Sequence, residues 1–218
     1  MNNTIKVDFH VHSIASLDSL SEATALYERA KKLGLGKLVI TDHNTISCGM
    51  ELWKSHPDYV IVGEEILTTS GEILAFFVKE EVPKNLKPLE ALRCLKEQNA
   101  FISLSHPYAM NRHGWSEVEM EEYLPFLDAI ETDNARNSSK KNQLAKRFAK
   151  EHNLCFTAGS DSHHISELGA MGLELPLFNN ADELRAVIRS ARVFGHESPA
   201  WVHLFSRIAV IKKTIIKI

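Results

Sequence analysis

Two histidines near the start of the chain, His10 and His12, have the residue type and the spacing of metal ligands. They lie at the end of an apolar run, residues 5–9, that is predicted to form a β-strand. Side chains alternate between the two faces of a strand, so both imidazoles point to the same side. Neutral imidazole binds zinc, manganese and iron. Two histidines satisfied by hydrogen bonds inside a core are the alternative, and this pair alone does not decide between the two.

The same arrangement recurs along the chain. Later predicted strands also end in His, Asp or Glu: Thr41-Asp42-His43, Gly63-Glu64-Glu65, Ser105-His106-Pro107, Ile130-Glu131 and Asp161-Ser162-His163. In a parallel α/β fold, the carboxyl ends of the strands open on one face, and that face holds the site. Burying so many ionisable groups without a cation would cost on the order of several kcal/mol apiece. The sequence therefore predicts a metal centre at this rim.

Short β-branched runs alternate with longer amphipathic ones, which is the pattern of an α/β fold. The short runs predict strands at 5–9, 37–40, 59–63, 73–78, 101–104, 129–131 and 155–158. The longer runs predict helices at 21–33, 88–99, 116–126, 138–151 and 181–191. Residues 66–69 and 72–78, on either side of Ser70-Gly71, predict a hairpin. We expect a mainly parallel sheet, either open or closed as a barrel.

The composition is that of a globular protein. Of the 218 residues, 44% are hydrophobic and 24% charged, and no linker or repeat divides them, so we expect one domain over residues 1–218. The net charge of −3, with no block of one sign, argues against a stable nucleic-acid complex and against membrane binding. We find no run typical of a signal peptide or a membrane span, which favours a cytoplasmic location. The oligomeric state stays open.

The C-terminal segment, residues 204–218, is predicted to form an amphipathic helix. Leu204, Ile208, Ile211 and Ile215 recur at helical spacing, with lysines on the other side. We expect this apolar stripe to dock the helix onto the rest of the domain.

Taken together, the motifs resemble those of the PHP superfamily (polymerase and histidinol phosphatase), in that family's order. They are Asp8-Phe9-His10-Val11-His12-Ser13, Thr41-Asp42-His43-Asn44-Thr45, Gly63-Glu64-Glu65, Ser105-His106-Pro107 and Gly159-Ser160-Asp161-Ser162-His163. The resemblance implies a distorted (β/α)7 TIM-like barrel, a cluster of two or three divalent metal ions and phosphoester hydrolysis. Within the superfamily, the chain resembles the small stand-alone metal-dependent phosphoesterases.

The resemblance also implies which side chains hold the metals, with Glu65 as the bridge between the first two. The implied ligands are His10, His12, Glu65 and Asp161 for the first metal, Glu65, His106 and Glu131 for the second, and Asp18, His43 and His163 for a third. At the third site the family's usual Ser-Asp-Gly is replaced by Leu17-Asp18-Ser19. Mixed sites of His and carboxylate accept zinc, manganese or iron, so the metals' identity stays open.

Three basic residues near these motifs, Arg112, His113 and Arg136, are candidates for binding a substrate phosphate. A guanidinium fork matches the oxygens of a phosphate, whereas the alternative for each residue is a solvated loop position. Asp161, His43 and His163 are the candidate catalytic residues. The expected nucleophile is a metal-bound hydroxide between the first two metals, with His163 or His43 passing a proton to the leaving group.

The leading hypothesis is metal-dependent hydrolysis of a small phosphomonoester, a nucleotide or a short oligonucleotide. An amidohydrolase-like C–N hydrolase is the second hypothesis, because His-x-His on a barrel strand is shared with that superfamily. Against it, no lysine stands at a strand end suited to carboxylation, and Glu65 fills the bridging position. The third hypothesis is a non-catalytic metal-binding partner module. Such modules often lose ligands, and here every ligand position is filled.

Overall fold

The seven strands that the sequence predicts lie side by side in one sheet. The computed structural model describes residues 4–215 of the chain. The strands are β1 (Thr4–Asp8), β2 (Lys37–Ile40), β3 (Val60–Leu67), β4 (Glu72–Phe76), β5 (Phe101–Leu104), β6 (Ala129–Asn134), β7 (Cys155–Gly159), β8 (Met171–Pro176) and β9 (Arg192–Gly195). The helices are α1 (Ala23–Lys32), α2 (Ser47–Ser55), α3 (Pro88–Glu97), α4 (Glu117–Tyr123), α5 (Ser139–Glu151), α6 (Ala181–Val187) and α7 (His203–Ile215).

Strands β1 to β7 form a nearly closed barrel. The strand order is β7-β6-β5-β4-β3-β2-β1-β8-β9. The residues that follow β1 also pair with those that follow β7, through a parallel bridge between Val11 and Ser162 and a hydrogen bond of 2.9 Å from the His12 amide to the Ser162 carbonyl. Gly159 permits this approach, because a Cβ there would lie 2.4 Å from the Cβ of His10. The predicted distorted barrel is confirmed.

One strand of the barrel runs against the others. β4 pairs antiparallel with both β3 and β5, and Leu67 faces Glu72 at the hairpin around Ser70-Gly71. The predicted hairpin is therefore present. Because β4 is reversed, its first residue, and not its last, lies at the end of the barrel where the parallel strands finish.

Aromatic side chains fill the interior of the barrel. Phe9, Phe76 and Phe101 are fully buried, and their rings form a chain with centroid separations of 5.2 Å and 5.8 Å. Phe178 extends the chain at 6.1 Å from Phe9. The barrel is thus a packed core rather than a pore. Its filled interior supports the residues at the rim.

Three elements of the structure, β8, β9 and α2, are not among the predicted ones. β8 pairs antiparallel with β1, and β9 pairs antiparallel with β8, so both extend the sheet beyond the barrel. Helix α2 begins at Ser47 and contains Gly49, which weakens the local helical signal. These elements depend on partners that are distant in the chain or on packing against β3.

The C-terminal helix packs on the barrel with a different face from the one predicted. Leu204, Ile208, Ile211 and Ile215 are 57%, 38%, 55% and 76% exposed. The inward face instead carries Ala209 and Lys213, whose ammonium donates to the Ser16 carbonyl at 2.6 Å. The predicted docking stripe was wrong, because polar contacts and a small side chain hold the helix. Residues 216–218 of the predicted segment lie outside the described residues.

Glu64 is a buried acid that points away from the barrel rim. Its Oε2 accepts a hydrogen bond of 3.0 Å from the Val82 amide, and its side chain is fully buried. Burial, opposed by this hydrogen bond, raises the pKa of Glu64 to about 8. In the unfolded chain the group returns to its ordinary value of 4.5.

Because of this difference in pKa, Glu64 should lower the free energy of unfolding at high pH, and Glu64→Gln should remove that loss. Between pH 4.5 and about 8 the folded state holds a proton that the unfolded state has lost, so the free energy of unfolding falls as the pH rises. We expect the free energy of unfolding of Glu64→Gln to equal that of the native chain near pH 4.5 and to exceed it by roughly 2–4 kcal/mol at pH 9. Urea unfolding at several pH values measures this, with exposed Glu97→Gln, a change remote from Glu64, as the control. A constant difference across the range would contradict the prediction.

Candidate metal centre

The carboxyl end of the barrel gathers the predicted ligands from almost every strand. His10 and His12 follow β1, His43 follows β2, Glu65 lies in β3, and His106 follows β5. Glu131 lies in β6, and both Asp161 and His163 follow β7, while Asp18 comes from the long loop after β1.

Within residues 4–215, no helix is both long and apolar enough to span a membrane.

Four ligand atoms converge on the first predicted metal position. His10 Nε2 and His12 Nε2 are 3.0 Å apart, and each lies 3.3 Å from Glu65 Oε2. Asp161 Oδ1 lies 3.7 Å from the first nitrogen and 3.5 Å from the second. Ligands about 2.0–2.2 Å from a tetrahedral metal ion would be separated by about 3.3–3.6 Å. The spacing of this group therefore fits a bound transition metal.

Several atoms of the site lack the partners that buried polar groups normally have. Glu65 Oε2, Asp161 Oδ1 and both ring nitrogens of His106 are buried without a hydrogen-bond partner among residues 4–215. Buried polar atoms are usually hydrogen-bonded, and orphaned ones require an explanation. Divalent cations would satisfy the two carboxylate oxygens and the Nε2 atom of His106, which faces Glu65 and Glu72, so the donor set fits the metals that the sequence implies.

A second group, formed by His43, Glu72 and His106, lies beside Glu65 and contacts both of its oxygens. His106 Nε2 lies 3.2 Å from Glu65 Oε1 and 3.4 Å from Glu72 Oε2. His43 Nδ1 lies 3.0 Å from Glu65 Oε2 and 3.8 Å from Glu72 Oε1. Glu65 thus stands between two groups of ligands, which is the geometry required of a bridge. Its partners in the second group are His106 and Glu72.

A third group lies nearer to solvent. His163 Nε2 is 2.9 Å from Asp18 Oδ2, and His43 Nε2 is 3.6 Å from Asp18 Oδ1. The rings of His12, His43 and His163 also offer nitrogens close enough to share one ion. The structure therefore brings Asp18, His43 and His163 together as the sequence predicted. Their role as ligands stays a prediction.

Glu131 lies behind the ligands. Its Oε1 is 2.9 Å from His10 Nδ1, while its Oε2 accepts from the His106 amide at 2.9 Å and from Asn134 Nδ2 at 3.0 Å. A carboxylate on the far nitrogen of a ligating histidine fixes its tautomer and raises its basicity. This placement favours an orienting role over the predicted role as a ligand of the second metal.

Glu72 is the residue that sequence reasoning missed. It is 6% exposed, and its carboxylate faces His43, Glu65 and His106. Burial, and next the charge of Glu65, raise the pKa of Glu72 to about 9. A signal was available in the sequence: the hairpin at Ser70-Gly71 reverses β4, so the first residue of that strand belongs at the rim.

Two buried aspartates hold the ligand loops in place. Asp42 accepts from Ser16 Oγ at 2.6 Å, and this hydroxyl lies 3.2 Å from His12 Nδ1. Asp8 accepts from the amide and hydroxyl of Ser160 at 2.8 Å and 2.5 Å, which fixes the turn before Asp161. Burial, only partly offset by the Ser160 hydrogen bonds, raises the pKa of Asp8 to about 6. The ligands are thus positioned by a hydrogen-bonded network.

Backbone strain is concentrated at the same place. Asp161 has φ of 55° and His106 has φ of 23°, in the left-handed region that few non-glycine residues adopt. Such residues cost on the order of 1–3 kcal/mol each and cluster at sites where geometry is imposed by function. Here the strained residues are two predicted ligands, His106 beside Glu65 and Asp161 beside His10 and His12.

A cleft of about 910 Å³ opens above the ligands. Arg112 lies at its edge, where Nη2 forms an ion pair with Asp161 Oδ2. Its Nη1 is buried without a hydrogen-bond partner in the described part of the chain. His113 also lines the cleft and is exposed. Both residues are placed where the sequence prediction needs them, and their substrate contacts stay predictions.

Arg136 borders the same cleft, but its guanidinium is committed elsewhere. Nε and Nη2 donate to the two oxygens of Glu167 at 2.8 Å and 3.2 Å. Nη1 donates to Ser206 Oγ at 2.8 Å, and Nη2 also donates to the Val202 carbonyl at 3.1 Å. The side chain is 3% exposed. These contacts weigh against the predicted role of Arg136 as a phosphate ligand.

Comparisons with known proteins agree with this architecture. A family model described as PHP-associated matches residues 139–193. The uncharacterized protein MJ0417 of Methanocaldococcus jannaschii is 36% identical over 170 residues, which are 76% of this chain and 68% of that protein.

Two solved structures are similar in fold. The first is a two-domain protein from Bacteroides vulgatus containing a predicted PHP-like metal-dependent phosphoesterase, with TM-score 0.73, 21% identity and 89% of this chain covered. This chain spans 65% of that protein. The second is the lesion-specific endonuclease PfuEndoQ from Pyrococcus furiosus, with TM-score 0.60, 16% identity, and 88% and 58% of the respective chains covered.

Its barrel, with a rim of histidines and carboxylates, places this chain among the metal-binding α/β barrels. The chain belongs to the PHP superfamily within that class.

Proposed function

We propose that this chain is a metal-dependent phosphoesterase that hydrolyses a small phosphomonoester, a nucleotide or a short oligonucleotide. The observation that carries the proposal is the convergence of buried imidazole nitrogens on the two oxygens of Glu65, with Glu65 Oε2, Asp161 Oδ1 and His106 Nε2 lacking a hydrogen-bond partner within residues 4–215. The similar folds of a predicted phosphoesterase and of an endonuclease support the same class of chemistry.

Divalent ions held by these side chains would acidify water and neutralise the charge on phosphoryl oxygens. The first ion would be held by His10, His12, Glu65 and Asp161, and the second by Glu65, Glu72 and His106. His43, His163 and Asp18 would hold a third. Zinc, manganese and iron all suit this mixture of imidazole and carboxylate.

The remaining chemistry falls to groups that face the cleft. The buried Nη1 of Arg112 would donate to a phosphoryl oxygen and thereby orient the substrate. With only the first two ions bound, His43 and His163 would be free to give a proton to the leaving oxygen, and His43 is the better placed because its side chain is 25% exposed, against 2% for His163. A volume of about 910 Å³ accommodates a leaving group as large as a nucleoside.

An amidohydrolase-like reaction is the weaker alternative. That chemistry uses a carboxylated lysine as the bridge, and here the bridging place is filled by Glu65. Lys37, in β2, lies at the opposite end of the barrel, where its ammonium donates to the Asp58 carbonyl at 2.9 Å. A non-catalytic module is also disfavoured, because all the expected ligand positions carry His, Asp or Glu.

Metal analysis and a hydrolysis screen test the proposal together. We expect at least two divalent ions per chain, and phosphate release from some members of a panel of sugar phosphates, mononucleotides and short oligonucleotides. Chelation should abolish the release, and manganese or zinc should restore it. A chain without bound metal after expression in medium supplemented with divalent metal would contradict the proposal. Release of ammonia from amide substrates, without phosphate release, would instead favour the amidohydrolase.

A further inference from the structure

The buried contacts of Arg136 join three separate parts of the molecule. Its guanidinium donates to Glu167, in the loop after β7, and also to Ser206 in α7 and to the Val202 carbonyl just before it. Arg136 itself follows β6, and its amide donates to Asn134 Oδ1 at 2.9 Å. Arginine can do this because its planar fork presents several donors in fixed directions.

Glu167 carries the connection on to the metal centre. Its Oε1 accepts from the amide of His163 at 3.2 Å and from the amide of His164 at 3.0 Å. Both of these residues belong to the segment that presents Asp161 and His163 to the rim. The carboxylate is 3% exposed, so water does not compete effectively for these donors.

Helix α7 depends on the same arginine. Its outward face is apolar and exposed, so its attachment depends on a few inward contacts. These include the Arg136 contacts, the Lys213 ammonium on the Ser16 carbonyl, and the ring of Phe205 stacked 4.1 Å from that of His164. His203, Leu204 and Arg207 of α7 in turn line the cleft.

We propose that the Arg136–Glu167 pair couples the seating of α7 to the position of His163. The inference rests on the proposed function only in taking His163 as a metal ligand. When α7 is seated, Arg136 is held by Ser206 and Val202, and Glu167 is held in line with the His163 amide. When α7 lifts, the guanidinium loses its outer acceptors, and Glu167 loses the partner that fixes both of its oxygens. Arg136 is therefore a positioning residue.

Hydrogen exchange and metal titration of the full chain test this coupling. In Arg136→Ala, the amides of α7 and those of residues 160–169 should both exchange faster. The weakest class of bound metal, measured by titrating the metal-stripped chain with manganese or zinc, should lose about ten- to hundredfold in affinity. The tighter sites should keep their affinity, a pattern that a general loss of stability would not produce.

Arg185 provides a matched control. Its guanidinium pairs with Asp128 at 2.9 Å and donates to the Ala100 carbonyl at 2.6 Å, at the opposite end of the barrel. Arg185→Ala should leave the exchange of residues 160–169 and the weakest metal affinity unchanged. If Arg136→Ala does not fold, Arg136→Lys takes its place, since lysine keeps a cation beside Glu167 but cannot make all four contacts.

Two outcomes would overturn the coupling. In one, α7 exchanges faster while residues 160–169 and the metal affinities stay as in the native chain. In the other, Arg136→Ala and Arg185→Ala change the weakest metal affinity equally. Neither measurement uses substrate hydrolysis, so the coupling can fail while the proposed phosphoesterase activity stands, and the reverse also holds.

Discussion

Glu65→Gln is expected to remove bound metal and to lower phosphoester hydrolysis by about a thousandfold or more. The carboxylate lies within 3.3 Å of His10, His12, His43 and His106, so it serves two groups of ligands at once. Glutamine keeps the shape but loses the charge and one acceptor. Metal ions contribute several kcal/mol to the stabilisation of the transition state, and about 4 kcal/mol corresponds to three orders of magnitude in rate.

The neighbouring residue supplies the control for this experiment. Glu64→Gln makes the same chemical change one position away, on the opposite face of β3. It should keep the full complement of metal and the native rate. Elemental analysis and steady-state kinetics on both variants, with circular dichroism to verify folding, measure the difference. Hydrolysis at the native rate in metal-depleted Glu65→Gln would show that the metals are not catalytic.

The sequence pattern was sufficient for the seven strands and for most residues of the candidate site because those signals are local, whereas the closure of the sheet into a barrel was implied by the family resemblance. Each of β1 to β7 is a short apolar run, and the ligand types stand directly at the strand ends. A strand end fixes both the position and the direction of its side chains. The grouping of His10, His12, Glu65 and Asp161 was implied by the resemblance to the PHP superfamily, and the structure brings these four side chains together.

The features that the sequence did not predict depend on contacts between distant segments. Strand β8 pairs with β1, and β9 pairs with β8, but no local sequence pattern indicates either pairing. The exposed face of α7 contradicts its hydrophobic periodicity, because the inward face is held by Arg136 and Lys213. Arg136 itself follows a strand at the rim, as predicted, yet its partners Glu167 and Ser206 lie 31 and 70 residues away.

The contrast between Glu72 and Glu131 is the second large effect that we expect. Glu72→Gln should lose one bound ion per chain, because its oxygens face His106 and His43 directly. Burial and the nearby Glu65 raise the pKa of Glu72 to about 9, so the side chain of the metal-free protein is already uncharged at pH 7. Substituting glutamine should therefore leave the metal-free stability at pH 7 nearly unchanged. Loss of the ion would then reflect a lost ligand.

Glu131→Gln should behave differently, keeping the number of ions but weakening their affinity about ten- to hundredfold. Three donors surround this carboxylate: His10 Nδ1, the His106 amide and Asn134 Nδ2. A glutamine amide placed there turns its own N–H groups towards at least one of them, which tilts the imidazole of His10. Calorimetric titration of both metal-stripped variants with zinc or manganese gives stoichiometry and affinity separately. If Glu131→Gln lost an ion while Glu72→Gln kept all of them, Glu131 would be the ligand, as the family resemblance implied, and Glu72 would be a buried neighbour.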